Sequence, residues 1–311
     1  MIYLEFELLG IVLGFLQGLF EWLPVSSEGQ LVIFLTILMG SNVQTATSLA
    51  LFSHIGTAFV IIIYYRLEFK LIFISCYQLV KKKFITEKFS EEQKNGLILT
   101  KNLVITTIFT LPTALLTLFL FESIVEELSK LIGVSIQDII TLLVGLLLIV
   151  TGIILNKRKE LSSSNSYNQT KSFESLTVRE LIILGLLQGF AALPGLSRSG
   201  ITITYLLLGT KSNQNESLRS SFLIAVPVSI GAGFLQVIRG KVIFVSGGLL
   251  SESNQFMINY MGALLMIFTA FIIGYLTLRA FIEMAKKIDF DKFVIIIGSI
   301  AIIAVLIGIL I

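Results

Sequence analysis

Runs of about 20 apolar residues, enough to cross a hydrocarbon core roughly 30 Å thick, recur from one end of this sequence to the other. A chain built this way has little choice of class. Its 311 residues are 55% hydrophobic and only 14% charged, and its mean hydropathy is +0.92, which leaves no room for a soluble domain. The expected class is all-α integral membrane, a polytopic helical bundle forming one membrane domain over 1–311. The N-terminus lacks the order of a cleavable signal, so Met1 is expected to remain in the mature protein. A net charge of +3 would suggest nucleic acid in a soluble chain. In a membrane protein it reflects basic cytoplasmic loops, and no nucleic-acid partner is expected. The single cysteine, Cys76, excludes an intrachain disulfide and a cysteine-based metal cluster.

Two of the apolar segments are interrupted. Residues 2–23 read as a helix with Gly10, Gly14 and Gly18 on one face, which lets a second helix approach closely. The stretch Pro24-Val25-Ser26-Ser27-Glu28-Gly29 then breaks it, because proline lacks the N–H and crowds the preceding turn. A short second helix runs to about Met39, and residues 2–40 read as a re-entrant hairpin. Spans are expected at 45–65, 98–122 and 137–155, with a surface helix and loop at 66–96 containing Lys81, Lys82 and Lys83. A cytoplasmic linker, 156–177, follows. A second broken hairpin, 178–193 and 200–209, precedes spans at 218–236, 256–278 and 293–311. That makes about six spanning helices and two re-entrant hairpins.

One constant offset, without a gap, aligns Gly14 with Gly185, Leu16 with Leu187, Gln17 with Gln188, Gly18 with Gly189, Ser26 with Ser197 and Gly29 with Gly200. Residues 1–155 and 178–311 are therefore expected to be repeats. Three spans separate the hairpins, so the second enters from the opposite side, an inverted-topology repeat whose broken helices meet near the bilayer midplane. Most of the 23 Lys and Arg fall in 66–96, 156–179, 211–219 and 279–292, the segments this topology makes cytoplasmic. The first hairpin then opens to the outer face of the plasma membrane.

Chemistry is expected where polar residues sit at membrane depth. Gln17 and Glu21 are one helical turn apart on the glycine face. Ser26 and Ser27 stand at the start of a new helix, where hydroxyls and free N–H groups favour an anion. Ser197, Arg198 and Ser199 occupy the same place in the second hairpin, with Thr202 one turn on. An arginine fork, hydroxyls and helix N-termini suit a doubly charged phosphate. A carboxylate beside them can act as a base or hold a divalent cation. His54, the only histidine, is a candidate proton relay. Alone it makes no metal site. Pro227 and the segment Gly231 to Gly233 read as a kink and close packing.

Gln17 to Glu21, Leu23-Pro24-Val25-Ser26-Ser27, Pro194-Gly195-Leu196-Ser197-Arg198-Ser199-Gly200 with Thr202, and Arg219 to Pro227 together resemble the undecaprenyl-diphosphatase, or bacitracin-resistance, family of membrane phosphatases over essentially the whole chain. The resemblance implies hydrolysis of a polyprenyl diphosphate to monophosphate and phosphate at the outer face of the plasma membrane, recycling a lipid carrier. It implies Glu21 as the key carboxylate and base, Ser27 (or an activated water) as nucleophile and Arg198 as diphosphate anchor. Gln17, Ser26, Ser197, Ser199 and Thr202 would line the pocket. A divalent cation, Mg2+ or Ca2+, would be held with the help of Glu21. The chain departs from the family at Ser26-Ser27-Glu28-Gly29-Gln30, where many members have threonine at 28 and histidine at 30. Glutamine cannot accept a proton or a phosphoryl group, and Glu28 or His54 is the available substitute. The departure also suits another lipid carrier, such as a dolichyl-type diphosphate, or lost hydrolysis. A transporter or flippase of phosphorylated lipid is the alternative reading, since inverted repeats with broken helices also build carriers. Polyprenyl diphosphate and membrane lipids are the expected partners, and oligomeric state is left open.

Overall fold

The computed structural model of the chain describes residues 6–23, 26–80, 90–134, 136–164, 171–193, 195–238, 244–245 and 258–284, then 292, 295–296, 298–300, 302–303 and 306. Ten helices are described: α1 Phe6–Phe20, α2 Ser27–Ile33, α3 Val43–Tyr64, α4 Arg66–Val80, α5 Glu91–Ile132, α6 Ile136–Ser164, α7 Val178–Phe190, α8 Arg198–Gly209, α9 Gln214–Ile238 and α10 Tyr260–Met284. A π-helical turn, Phe34–Leu38, extends α2. The strands described are two residues long, Phe244–Val245 beside Ile258–Asn259. Among the described residues, four helices are long and apolar enough to cross a membrane: Gln44–Tyr64, Glu91–Leu120, Gln214–Ile238 and Tyr260–Ile282. This is an all-helical membrane protein.

Local chemistry explains most helix ends. Ser90 opens α5 with a reciprocal capping box: its Oγ accepts from the Gln93 N–H at 3.3 Å, and Gln93 Oε1 accepts from the Ser90 N–H at 2.9 Å. Thr177 and Glu180 do the same for α7. Helix α5 passes through Pro112 and beyond the expected end at 122, because no terminator arrives until Gly133, whose φ of 71° closes it in the left-handed region. Helix α6 likewise overruns 156, the expected start of the linker, since Lys157 to Leu161 are good helix formers with no breaker among them. In 66–96 a helix forms at α4 as expected, while Lys81 to Lys83 lie outside the described residues. So do Pro24 and Pro194, and most of 293–311.

The glycine faces carry the packing. Gly10, Gly14 and Gly18 of α1 press on the backbone of α10 at Gly262, Met266 and Gly274, leaving no room for a Cβ. Gly185 and Gly189 of α7 meet α5 at Thr106 and Thr110 in the same way. Trp22, fully buried, donates from its indole to the Gly274 carbonyl at 2.9 Å and stands edge-on to Phe222 at 5.5 Å. Helices α1 and α7 therefore each lie along a long helix from the other half of the chain.

At the start of α9, Arg219 donates to Glu68 (3.1 Å), Glu174 (2.8 Å) and Glu216 (3.2 Å), tying α4 and the turn Phe173–Ser175 to α9. Burial pushes the Glu174 carboxyl up, but the hydrogen bonds and charge of Arg219 outweigh it and hold it below the usual carboxylate range. A depressed carboxyl stabilises the fold above its unfolded value, near 4.3, and that contribution is lost as pH falls through the lower folded value. Thermal unfolding in detergent should therefore lose less stability between about pH 5 and pH 3 in Glu174→Gln than in the unsubstituted protein. Identical acid limbs would show that the Arg219 cluster contributes nothing there.

Candidate active site

The broken ends of the two hairpins meet at one ion pair. Glu21, just after α1, is 6% exposed. Its Oε1 accepts from Arg198 Nη2, and its Oε2 accepts from Gln17 Nε2 at 2.7 Å and Ser27 Oγ at 2.8 Å. His54 on α3 brings Nε2 to 3.3 Å from Glu21 Oε2 and 3.4 Å from Ser27 Oγ, while its Nδ1–H donates to the Ala50 carbonyl at 2.7 Å. Arg198 opens α8 and donates from Nη1 to Ser229 Oγ at 2.7 Å on α9. Its Nε is buried without a partner. Side chains from five segments thus converge on a buried arginine and carboxylate.

The serines before each second helix are caps. Ser26, at φ 56°, accepts at Oγ from the Gly29 N–H at 3.2 Å and from the Gly195 N–H at 3.0 Å, so one hydroxyl joins the two hairpins. Ser197 accepts from the Gly200 N–H at 3.1 Å and sits 3.2 Å from Ser199 Oγ.

Most of these side chains line a cavity of about 410 Å³. Its polar wall holds Glu21, Ser27, Glu28, His54, Arg198 and Ser229. The rest is largely apolar, built from Leu111, Leu115 and Leu118 of α5 and Leu235 of α9. Such a cavity takes a small anionic head and a hydrocarbon tail.

A family profile described as bacitracin resistance protein BacA matches residues 10–303. The chain belongs to the BacA family. Curated relatives are named undecaprenyl-diphosphatase. The one from Methanothrix thermoacetophila is 32% identical over 291 residues, 93% of each chain. That from Haloarcula marismortui is 32% identical over 284 residues, 91% of each. That from Saccharolobus solfataricus is 30% identical over 304 residues, covering 97% of this chain and 96% of its own.

In this BacA-family chain Glu21, Ser26, Ser27, Glu28, His54, Ser197, Arg198 and Ser199 all border the cavity. Gln17 and Thr202 do not. Gln17 stands behind Glu21 and fixes its rotamer. Thr202 donates to the Arg198 carbonyl at 2.8 Å and lies 2.7 Å from Ser221 Oγ, bracing the first turn of α8. Their helical spacing is as expected, but it puts them one layer back. Sequence reasoning missed Ser229, Gln188, Thr107 and Thr110. Each is a polar residue inside an apolar span, which was the available signal; Ser229 lies two residues after the Pro227 read only as a kink.

Both Glu21 oxygens already accept hydrogen bonds, Oε1 from the Arg198 guanidinium, whose positive charge opposes a cation there, and Oε2 from Gln17 and Ser27. No three of His, Cys, Asp and Glu stand close enough to hold a metal ion among the described residues. Glu28, 7% exposed, instead leaves Oε1 buried without a partner. One carboxylate with substrate phosphate oxygens is an ordinary Mg2+ donor set, so the residues fit a divalent cation at Glu28 better than at Glu21.

Because Ser26 satisfies two N–H groups from different hairpins, Ser26→Gly, which keeps the positive φ accessible, should cost about 1–3 kcal/mol of stability. Chemical or thermal unfolding in detergent measures it. An unchanged midpoint would show that the Gly195 tie is dispensable.

Proposed function

We propose that this membrane protein hydrolyses undecaprenyl diphosphate, or a closely similar polyprenyl diphosphate, to the monophosphate and phosphate, recycling the lipid carrier for cell-envelope glycan synthesis. The observation that carries the reading is Arg198, buried with Glu21 and Ser27 in the wall of a cavity that is otherwise lined largely by apolar side chains. The names of the relatives agree with it. Nothing in the family or the relatives favours the transporter alternative.

In this reading Arg198 binds the diphosphate and neutralises charge that builds on the phosphoryl oxygens. Ser27 attacks the terminal phosphorus, the anhydride P–O bond breaks, and prenyl monophosphate departs; water then cleaves the phosphoserine. Glu21 orients the Ser27 hydroxyl and the guanidinium together. A cation held by Glu28 would supply Lewis-acid polarisation of the phosphoryl oxygens when bound.

The same proposal takes the chain as six spans and two re-entrant hairpins in an inverted repeat, 1–155 and 178–311, joined through 156–177. Equivalent serine caps at Ser26 and Ser197 support it, as does the exchange in which α1 packs on α10 and α7 on α5. The cavity would open to the outer face of the plasma membrane, opposite the basic segments.

Protein purified in detergent should release phosphate from farnesyl diphosphate. Arg198→Ala and Ser27→Ala should each lose about 10²-fold or more, while Gln30→Ala should lose less than about tenfold, within the range of a group that takes no part in proton transfer. Unchanged release in Arg198→Ala and Glu21→Ala would sink the site, and a larger loss in Gln30→Ala than in Ser27→Ala would remove Ser27 as nucleophile. For the cation, a chelator should abolish activity and added Mg2+ or Ca2+ restore it. Glu28→Gln should raise the half-saturating cation concentration by about 10-fold or more. Activity indifferent to chelator would refute the cation.

A further inference from the structure

Resting on the phosphatase reading, we propose that His54 is the proton acceptor for the Ser27 hydroxyl, and that Glu21 is a positioning residue and the counter-ion of the imidazolium that forms. The tautomer follows from geometry. A backbone carbonyl can only accept, so the 2.7 Å contact from Nδ1 to Ala50 places the ring proton on Nδ1. The neutral ring then carries its lone pair on Nε2, the atom that faces Ser27 Oγ at 3.4 Å and Glu21 Oε2 at 3.3 Å. Ala50 lies one turn earlier on α3, so the helix itself holds the ring in this orientation. A separation of 3.4 Å is long for a hydrogen bond, as catalytic contacts are before substrate tightens them.

The Ser27 hydroxyl has two acceptors within reach, Glu21 Oε2 at 2.8 Å and His54 Nε2 at 3.4 Å. Rotation about the Cβ–Oγ bond moves its hydrogen from one to the other with little movement of heavy atoms. Two facts favour the imidazole as the final acceptor. Its ordinary pKa is about 6.5, against about 4.3 for a glutamate. Protonating Glu21 would leave Arg198 without its counter-charge in an apolar interior, whereas protonating His54 creates a cation beside Glu21 and the incoming phosphate. Glu21 and Ser27 touch the ring, and Glu28 from the first hairpin and Arg198 from α8 share the cavity wall with it. Helix α9 presents Ser229, and α10 carries no charged side chain between Tyr260 and Leu278.

The step balances. The Ser27 Oγ–P bond forms as the anhydride P–O bond breaks; the electron pair leaves on the prenyl monophosphate, and the Ser27 proton goes to His54 Nε2. The departing monophosphate, with a second pKa near 6, can carry that proton away. His54 then takes a proton from the attacking water and returns it to Ser27 Oγ as the phosphoserine bond breaks. The imidazole missing at Gln30 is thus supplied from α3, by the only histidine in the chain.

The test measures kcat and KM for farnesyl diphosphate as a function of pH in the full-length protein. His54→Asn, which retains an amide donor near Ala50, should lower kcat by about 10²- to 10⁴-fold with KM nearly unchanged. It should also abolish the acid limb of the kcat–pH profile, since only neutral imidazole accepts the proton. His54→Ala should regain activity with added imidazole. Activity within about tenfold of the unsubstituted protein with an unchanged pH profile, or loss of farnesyl diphosphate binding by calorimetry in His54→Asn, would overturn the proposal and leave His54 a packing residue. An inactive unsubstituted protein would instead overturn the phosphatase reading.

Discussion

The ion pair between Glu21 and Arg198 is the constraint that the rest of this structure serves. Two opposite charges in an apolar interior cost several kcal/mol each to desolvate, and their attraction repays this only when the remaining donors and acceptors are also satisfied. Arg198 Nε is left without a partner, but Gln17, Ser27 and Ser229 supply most of that satisfaction. They come from α1, α2 and α9, so the pair can exist only when these helices, together with α8, are in place. A purely structural use of such a pair would be wasteful, because apolar residues of similar volume would hold the helices at least as well. Its retention is understandable if a third charge, brought by a ligand, completes the cluster.

Short helices that end at the middle of the structure need another means of support, and glycine provides it. Without a hydrophobic drive between helices in lipid, association depends on close backbone approach. The contacts of Gly10, Gly14 and Gly18 with α10, and of Gly185 and Gly189 with α5, are tight enough to fix the depth of each short helix. That depth sets where Glu21 and Arg198 stand. The Ser26 hydroxyl then sets their register, since it bonds to Gly29 in one hairpin and Gly195 in the other.

Much of this was legible in the sequence. Apolar runs located the long helices, and the constant offset between the halves anticipated that Ser26 and Ser197 would cap equivalent helices. Glu21, Ser27 and Arg198 were chosen because charge and hydroxyls at membrane depth need a reason, and they do converge. What one dimension could not supply was facing. Gln17 and Thr202 carry the right spacing yet lie behind the cavity. Ser229, Thr107 and Gln188 border it without any local pattern that separates them from other polar residues in spans. The ends of α5 and α6 went astray because hydrophobic patterning marks where apolar sequence stops, whereas a helix stops only at a terminator such as Gly133. Motif reasoning framed the missing histidine as a question about Gln30, and only tertiary packing brings α3 and His54 to the same hydroxyl.

The unsatisfied atoms around the cavity sharpen what must enter it. Arg198 Nε and Thr107 Oγ1 are buried and able to donate; Glu28 Oε1 and Gln188 Oε1 are buried and able to accept, and all four belong to residues that border the cavity. An unpaired buried group costs about 1–3 kcal/mol, so each of these atoms is a place where a hydrogen-bond partner would add stability. A diphosphate has acceptor oxygens alone, so it answers the arginine and the threonine and leaves the glutamate and glutamine as they were. An anionic head entering where the two hairpins meet therefore answers the charge of Arg198, and the Oε1 atoms of Glu28 and Gln188 stand beside it as acceptors without a protein partner.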